Sequence, residues 1–337
     1  MKLEMEFDHY IAVDWAQTNM AIARMPAKLD KVDTRDVPSD IGELKIYLRN
    51  LKGKKILTIE ESTTAQWLYT ELKDEVDELL VCDPRRNRLL SEGPKTDKID
   101  ASKLVQLLRA GMLKRVFHTA DQFIYLRKLV SGYRDVVQAG VRLKNQRASL
   151  FRANGLSKKE AVLPSDAETF VLQGLDASIE RYEKEKKRYE SEFNRWRTKH
   201  PLVRNLESLP GIGAIGAVTV AAAVVDARRF PNKNAFISYC GLVKHERLSG
   251  GRSYGKKSTQ YSRALKCVFK TAALACIDGN AKNGAFKSYY DQLIEKKRCS
   301  DHVDRHAMAR RIATLALGVM KSGKIFEEGK LKSKNKK

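Results

Sequence analysis

The sequence lacks the usual marks of an exported or membrane-embedded protein. The first eight residues mix acidic with apolar side chains, unlike a signal peptide, and no apolar run reaches the roughly 18 residues that cross a bilayer. Cysteine is sparse, because five residues are scattered over 337 and no C-x-x-C pair occurs. We therefore expect a cytoplasmic protein with reduced thiols and no membrane partner.

Metal-binding patterns of cysteine and histidine are also scarce. The one spacing of this kind joins Cys299, His302 and His306, and no second pair of such ligands accompanies it. An ordinary helix surface explains this spacing better than a zinc site.

Acidic residues are outnumbered. The chain has 64 Lys and Arg against 41 Asp and Glu, a net charge of +23. Such an excess is typical of a protein that binds a polyanion, although a generally basic surface or a ribosome-associated protein would show it too. The hydrophobic content of 42% is ample for packed cores, and the length allows two domains.

Two aspartates stand three residues apart in the segment 95–101. An apolar-periodic run follows them, which predicts a helix with Asp97 and Asp100 on one face. Lys95 and Lys98 lie beside this pair. Two carboxylates in so basic a chain suit a divalent cation and a phosphate substrate.

The residues before this pair predict a mixed α/β sheet. A strand hairpin comes first, and strands then alternate with helices. The predicted strands are 10–14, 20–25, 31–37, 55–61 and 79–82, and the predicted helices are 41–51 and 66–76.

Two further acids end predicted strands. Asp14 ends the first strand and Glu61 ends a central one, so both should meet Asp97 and Asp100 at one sheet edge. Several oxygen ligands on rigid elements are what a two-metal phosphodiester site requires. Glu60 competes with Glu61, and only the facing of the strand decides between them. Each acid taken singly is also compatible with an ordinary surface carboxylate.

Long helices follow from about residue 120. Two heptad-type seams are joined by a loop, and Ser165 and Glu168 form a capping box at the start of the second helix. The pair predicts an antiparallel hairpin or an intermolecular coiled coil, and it is the candidate oligomerisation element. Lys186 falls on a seam position, which weakens a purely apolar interpretation.

The region after residue 200 opens with a Pro-Gly-Ile-Gly turn. Such a turn before a helix resembles a helix-hairpin-helix element, in which backbone N–H groups around Gly211 and Gly213 hold a DNA phosphate. A plain tight turn would look the same.

A polar loop farther on places Ser249 among glycines and cations. The serine could approach a phosphate whose charge the cations stabilise, with His245 nearby, or the loop could simply bind phosphate. Ser253 and Ser258 are alternative serines. A lysine-rich tail, 330–337, should be a solvated end. The cations of the loop are Lys244, Arg247, Arg252, Lys256 and Lys257.

Six segments in this order resemble the DEDD transposases of the one-ten insertion-sequence family, relatives of the Piv DNA invertases. The resemblance spans nearly the whole chain. The segments are AVDWA at 12–16, EST at 61–63, KTDKIDA at 95–101, LPGIG at 209–213, YCGL at 239–242 and LSGG at 248–251.

The resemblance implies an α/β plus α architecture. Residues 1–118 would form a RuvC-like RNase H fold, 119–200 a helical coiled-coil connector, and 201–329 a mainly helical C-terminal transposase domain, followed by the basic tail. It also implies that four acids bind Mg²⁺ or Mn²⁺ and that a serine forms a covalent phosphoserine link with DNA. By motif position these residues are Asp14, Glu61, Asp97, Asp100 and Ser249.

The same resemblance implies the partners. They are donor and target DNA, a structured bridge RNA, and further copies of the chain in dimers that assemble to a tetramer, where acids of one subunit meet the serine of another. Two alternatives stay open: a RuvC-like junction-resolving or structure-selective nuclease that uses Mg²⁺ and water, and a non-catalytic binding protein.

Overall fold

The computed structural model describes residues 7–84, 96–157, 162–257, 260–277, 284–297 and 301–327. The chain divides into two compact units, Met1–Asp121 and Gln122–Lys337. The first contains a mixed sheet with helices, and the second is mainly helical. The fold class predicted from the sequence is therefore confirmed.

A six-stranded sheet organises the N-terminal unit. The strand order is β3-β2-β1-β4-β5-β6; β4 runs parallel to both β1 and β5, and the other neighbours are antiparallel. The elements are β1 His9–Trp15, β2 Asn19–Pro26, β3 Asp33–Pro38, α1 Ile41–Asn50, β4 Lys55–Glu60, α2 Ala65–Leu72, β5 Glu78–Cys82, α3 Asp97–Arg109 and β6 Arg115–Val116.

Both faces of this sheet are covered, because side chains on the central strands are apolar in both directions. Tyr10 and Ala12 of β1 pack in the cluster that contains α3, whereas Ile11 and Val13 pack in the cluster that contains α1 and α2. The alternation puts the next residue, Asp14, on the α3 side.

The predicted elements of this unit are present, with shifts at their ends. β4 ends at Glu60 rather than at residue 61, and α2 ends at Leu72 rather than at 76. Asp40 caps α1 by accepting hydrogen bonds from the backbone N–H groups of Gly42 and Glu43. The two-residue strand β6 carries no periodic signal, so sequence patterns could not predict it.

The C-terminal unit begins with two long helices. They are followed by shorter helices, a short 3₁₀ turn and one strand hairpin. The elements are α4 Phe123–Ala153, α5 Asp166–Lys199, α6 Pro201–Glu207, α7 Ala214–Val224, α8 Lys233–Tyr239, β7 His245–Ser249, β8 Arg252–Lys257, α9 Arg263–Ile277, α10 Gly284–Lys297 and α11 Asp301–Ser322.

Helices α4 and α5 form an antiparallel hairpin within one chain. Gly140 lets the helices approach, because a Cβ there would lie 2.3 Å from the ring of Tyr182. The predicted capping box is present: the backbone N–H of Glu168 donates to Oγ of Ser165 at 3.2 Å. Lys186, the polar seam residue, lies 3.7 Å from Glu190 in an i,i+4 ion pair.

The same two helices share one core with the helices after residue 200. Phe193 of α5 is fully buried in a cluster with Phe236 of α8 and Phe269 of α9. In the described part of the chain, no helix combines the length and apolarity needed to cross a membrane.

Some features singled out in the sequence fall outside the described residues. The zinc-like spacing is one, because Cys299 and the side chain of His302 are not described. The same holds for Lys95, Ser258, the side chain of Lys257 and the tail 330–337.

Candidate active site

Three of the predicted acids come close together in the N-terminal unit. Asp14 is half-buried at the end of β1, on the α3 side of the sheet. Burial raises its pKa above the ordinary value, and the charges of Asp97 and Asp100 raise it further. A carboxylate whose pKa is raised by burial and by two neighbouring carboxylates is typical of a cation or proton-handling site.

Local structure explains why the aspartate pair lies there. The backbone N–H of Ile99 donates to Oγ1 of Thr96 at 3.4 Å, so α3 begins at Asp97 and both aspartates fall in its first turn, as predicted. Buried Leu104 and Leu108 anchor the helix in the cluster that covers this side of the sheet. The positive end of the helix dipole also favours carboxylates in the first turn.

The strand register separates Glu60 from Glu61. Glu60 pairs with Cys82 of β5, and Cys82 is buried in the cluster on the α3 side, as is Ile56 of β4. Because paired residues of parallel strands share a face, Glu60 lies on the same side of the sheet as Asp14. The register therefore favours Glu60 as the neighbour of the aspartates.

Glu61 is bonded to His118, a residue that no sequence motif singles out. The Nε2–H of His118 donates to Oε2 of Glu61 at 2.5 Å, and the histidine side chain is only 6% exposed. Nδ1 of His118 lies 3.1 Å from Oε1 of Gln66, whose Nε2–H donates to the carbonyl of Thr119 at 3.0 Å. His118 therefore links Glu61 to Gln66 at the end of β4.

The oxygen donors suit a hard divalent cation such as Mg²⁺ or Mn²⁺. Within the residues that the structure describes, no three Asp, Glu, His or Cys side chains stand close enough together to hold a metal ion. The donor chemistry of Asp14, Asp97 and Asp100 thus fits the cation, and binding would require their carboxylates to move inward.

Ser249 lies in the other unit, at the tip of a strand hairpin where a loop had been predicted. It ends β7 and pairs with Arg252 of β8 across a two-glycine turn. Gly250 and Gly251 have φ of 53° and 76°, as a type I′ hairpin turn requires. Every side chain of β7 is exposed, so Ser249 is open to solvent.

The two faces of this hairpin differ in chemistry. Ser249 and its partner Arg252 lie on one face, and alternation along each strand puts Arg247 and Tyr254 on that face too. The ladder shifts register between Glu246 and Leu248, because Glu246 pairs with Lys256 whereas Leu248 pairs with Ser253. The opposite face carries the pair of Leu248 and Ser253, together with Glu246. Oγ of Ser253 donates to Oε1 of Glu246 at 2.8 Å. The alternative serine is therefore tied to a carboxylate on the face away from Ser249.

The predicted phosphate-holding turn contains two glycines with different environments. Gly211 has φ of 73°, and a Cβ there would lie 2.3 Å from the carbonyl oxygen of Ala272, so the turn is packed closely on α9. Gly213 precedes α7 without a side-chain cap, and a Cβ there would meet nothing within 4 Å. Close packing on α9 explains the glycine at position 211, whereas the space around Gly213 is open.

Comparison with known proteins gives matches in both units. Residues 11–153 match a family model described as Transposase, of the DEDD IS110 type, and residues 203–291 match the model for the Transposase IS116/IS110/IS902 family. The chain is similar to the insertion element IS110 uncharacterized 43.6 kDa protein of Streptomyces coelicolor, at 25% identity over 177 residues. That match spans 52% of this chain and 42% of the relative.

The acids and the serine fall in different matched ranges. The clustered acids lie within 11–153, and Ser249 lies within 203–291. The chain is therefore similar to IS110-family transposases in two regions, one that contains the clustered acids and one that contains the exposed serine.

Proposed function

We propose that the protein is the transposase of an insertion sequence, a site-specific DNA recombinase that exchanges strands through a phosphoserine intermediate. One observation carries this proposal. Ser249 is exposed on a hairpin face that also carries Arg247 and Arg252, in a chain whose other transposase domain gathers carboxylates around Asp14. A nucleophile flanked by cations suits attack on a phosphodiester.

The acids would hold Mg²⁺ or Mn²⁺, which would neutralise phosphate charge and orient the scissile group. Asp14, Asp97 and Asp100 are the proposed ligands supported by mutual proximity. For the fourth we propose Glu60 in place of Glu61, because the strand register puts Glu60 on the side of the aspartates. Glu61, bonded to His118, would then support the edge of the site.

In the proposed attack by Ser249, one P–O bond forms for each P–O bond that breaks. Oγ of Ser249 forms a bond to phosphorus while one bridging P–O bond of the DNA breaks, and the departing sugar oxygen takes up a proton in exchange for the one lost by the serine. The phosphoserine link keeps the energy of the broken phosphodiester. A strand end from another DNA can therefore reverse the step and complete the exchange without a nucleotide cofactor.

The partners of this reaction would be donor and target DNA and a structured bridge RNA that pairs with both. The net charge of +23 supports polyanionic partners of this kind. We further propose that the chain acts as a dimer assembling to a tetramer, in the prokaryotic cytoplasm and in contact with the nucleoid. In this assembly the acids of one subunit would meet Ser249 of another.

The test is capture of the covalent intermediate. Wild-type protein, DNA carrying the element ends, the flanking RNA and Mg²⁺ should yield an adduct that survives denaturing electrophoresis. Ser249→Ala should form no adduct while still binding nucleic acid. Ser253→Ala is the matched control and should behave as wild type, because Ser253 lies on the other hairpin face. Full strand exchange by Ser249→Ala would refute the proposal.

A nuclease is the second candidate, since the acids gather within one unit without the serine. Such an enzyme would use water as nucleophile. It predicts Mg²⁺-dependent cleavage with free DNA ends, no adduct, and equal activity of wild type and Ser249→Ala. Activities unaffected by Asp97→Asn and Asp100→Asn would instead indicate a binding protein.

A further inference from the structure

We propose that Tyr254 stacks on an unpaired DNA base next to the phosphate that Ser249 attacks. This inference rests on the proposed function and names the form of DNA that the serine hairpin would take. The partner is a locally single-stranded DNA segment, and the contact is a face-on stack between the phenol ring and a base.

Exposure of the ring is the first observation. Tyr254 is 68% exposed on a strand whose described side chains are all exposed. An aromatic ring contributes to stability chiefly when it is buried, and nothing in the hairpin buries this one. Its large apolar surface is thus available to a ligand.

Position on the hairpin is the second observation. Ser253 pairs with Leu248 on the opposite face, so alternation puts the next residue, Tyr254, on the face of Ser249, just before the ladder shifts register. Tyr254 lies two residues along β8 from Arg252, the cross-strand partner of the serine. A strand rises about 3.3 Å per residue, so the Cα of Tyr254 lies roughly 7 Å along the strand from the Cα of Arg252. This spacing corresponds to about one nucleotide of an extended strand.

Charge is the third observation. In the segment 244–257 the only acid is Glu246, which lies on the opposite face and accepts from Ser253. The face of Ser249 therefore presents two guanidinium groups and a ring without a carboxylate. Cations for the backbone and a ring for the bases are the combination that binds single strands without regard to sequence.

An unpaired base is favoured over a duplex by the same geometry. In a duplex the bases are already stacked on one another, and their edges rather than their faces are offered to a protein. A ring beside phosphate-binding arginines gains a stacking partner only where a base is unstacked, as strand exchange requires.

The experiment measures binding of the full chain to a labelled single strand, its duplex and the matching RNA in the presence of EDTA. Tyr254→Ala should weaken single-stranded DNA binding by about tenfold, as the loss of one base stack would, and change duplex binding much less. Tyr254→Phe keeps the ring and should bind as wild type. The slope of affinity against salt should stay the same in Tyr254→Ala but fall by about one in Arg252→Ala.

Two matched controls separate a specific contact from a general loss of exposed apolar surface. Leu248→Ala removes a side chain of 65% exposure from the other hairpin face, and Tyr125→Ala removes a tyrosine of 67% exposure from α4. Neither should change affinity for the single strand.

Three results would overturn the inference. Tyr254→Ala could bind single-stranded DNA as tightly as wild type, or Tyr254→Phe could lose as much affinity for it as Tyr254→Ala. The third result is a loss of affinity in Tyr254→Ala for the duplex or the RNA alone. The binding assay needs neither metal nor a reactive serine. If adduct capture fails for Ser249 while Tyr254→Ala still weakens single-strand binding, the proposed chemistry is wrong and the stacking contact remains.

Discussion

The acids and the serine are supported in different ways. Asp14 continues a strand in which residues 10–13 are all buried, and Asp97 begins a helix packed on the same sheet. Ser249 ends a strand in which every side chain is exposed. Close packing fixes backbone positions, whereas a strand pair without buried side chains has little local stability.

The difference bears on the order of events in the proposed reaction. The backbone that carries the carboxylates should occupy nearly the same position before and after metal and DNA bind, since the sheet and α3 hold it, and only the side chains should move inward. The serine hairpin should acquire a defined position from the nucleic acid that it contacts. A nucleophile ordered only by its substrate would also be protected from reacting with unintended DNA.

The largest expected effect tests whether Glu60 or Glu61 is the fourth metal ligand. Glu60→Gln should slow adduct formation by about 10³-fold, because loss of a metal ligand removes several kcal/mol of transition-state stabilisation. Glu61→Gln should cost much less, since its carboxylate bonds to His118. Single-turnover rates of adduct formation at saturating Mg²⁺, with Mn²⁺ affinity from calorimetry, would measure both.

The two substitutions are isosteric and adjacent, so each controls for the other. Circular dichroism should show unchanged folding in both. A larger loss in Glu61→Gln than in Glu60→Gln would mean that the chain turns at the end of β4 in the bound state, and the argument from strand register would fail.

A second prediction makes the same substitution in both regions. Leu57→Ala empties a fully buried position in β4 and should destabilise the N-terminal unit by about 3 kcal/mol. Leu248→Ala in the hairpin, where the leucine is 65% exposed, should change stability by less than about 0.5 kcal/mol. Urea unfolding followed by circular dichroism would compare them. Comparable losses would mean that the hairpin is packed against other parts of the protein.

The sequence predicted the regions where local patterns and burial agree. Short apolar runs predicted the strands of the sheet, and the apolar-periodic run after the aspartate pair predicted the helix of Asp97 and Asp100. Three features could not be predicted from the sequence. The first is the choice between Glu60 and Glu61. Neighbouring residues of a strand face opposite sides of the sheet, and a period-two pattern does not show at which residue the strand ends. The contact of His118 with Glu61 joins residues 57 apart. The serine hairpin has no buried face, and so its strands lack the usual alternation.

The smallest expected effect concerns the electrostatic strain that the packed sheet tolerates at Asp14. A raised pKa in the folded protein means that the native state binds a proton more tightly than the unfolded chain. The resulting stabilisation is fully present below the unfolded pKa and is lost as the pH rises through the folded value. At neutral pH the ionised carboxylate, partly buried beside Asp97 and Asp100, therefore destabilises the metal-free protein.

Asp14→Asn removes this charge and should raise the melting temperature of the metal-free N-terminal unit at pH 7 by no more than about 2 °C, because solvent screens part of the repulsion at a half-buried carboxylate. The gain should shrink as the pH falls towards 4, because wild-type Asp14 then becomes protonated as well. Thermal melts between pH 4 and pH 7 in EDTA would follow it, and Mg²⁺ should raise the melting temperature of wild type more than that of the variant. A variant less stable than wild type at pH 7 would mean that favourable contacts of the ionised carboxylate outweigh repulsion, so that the acids lack the strain expected of a site built to bind a cation.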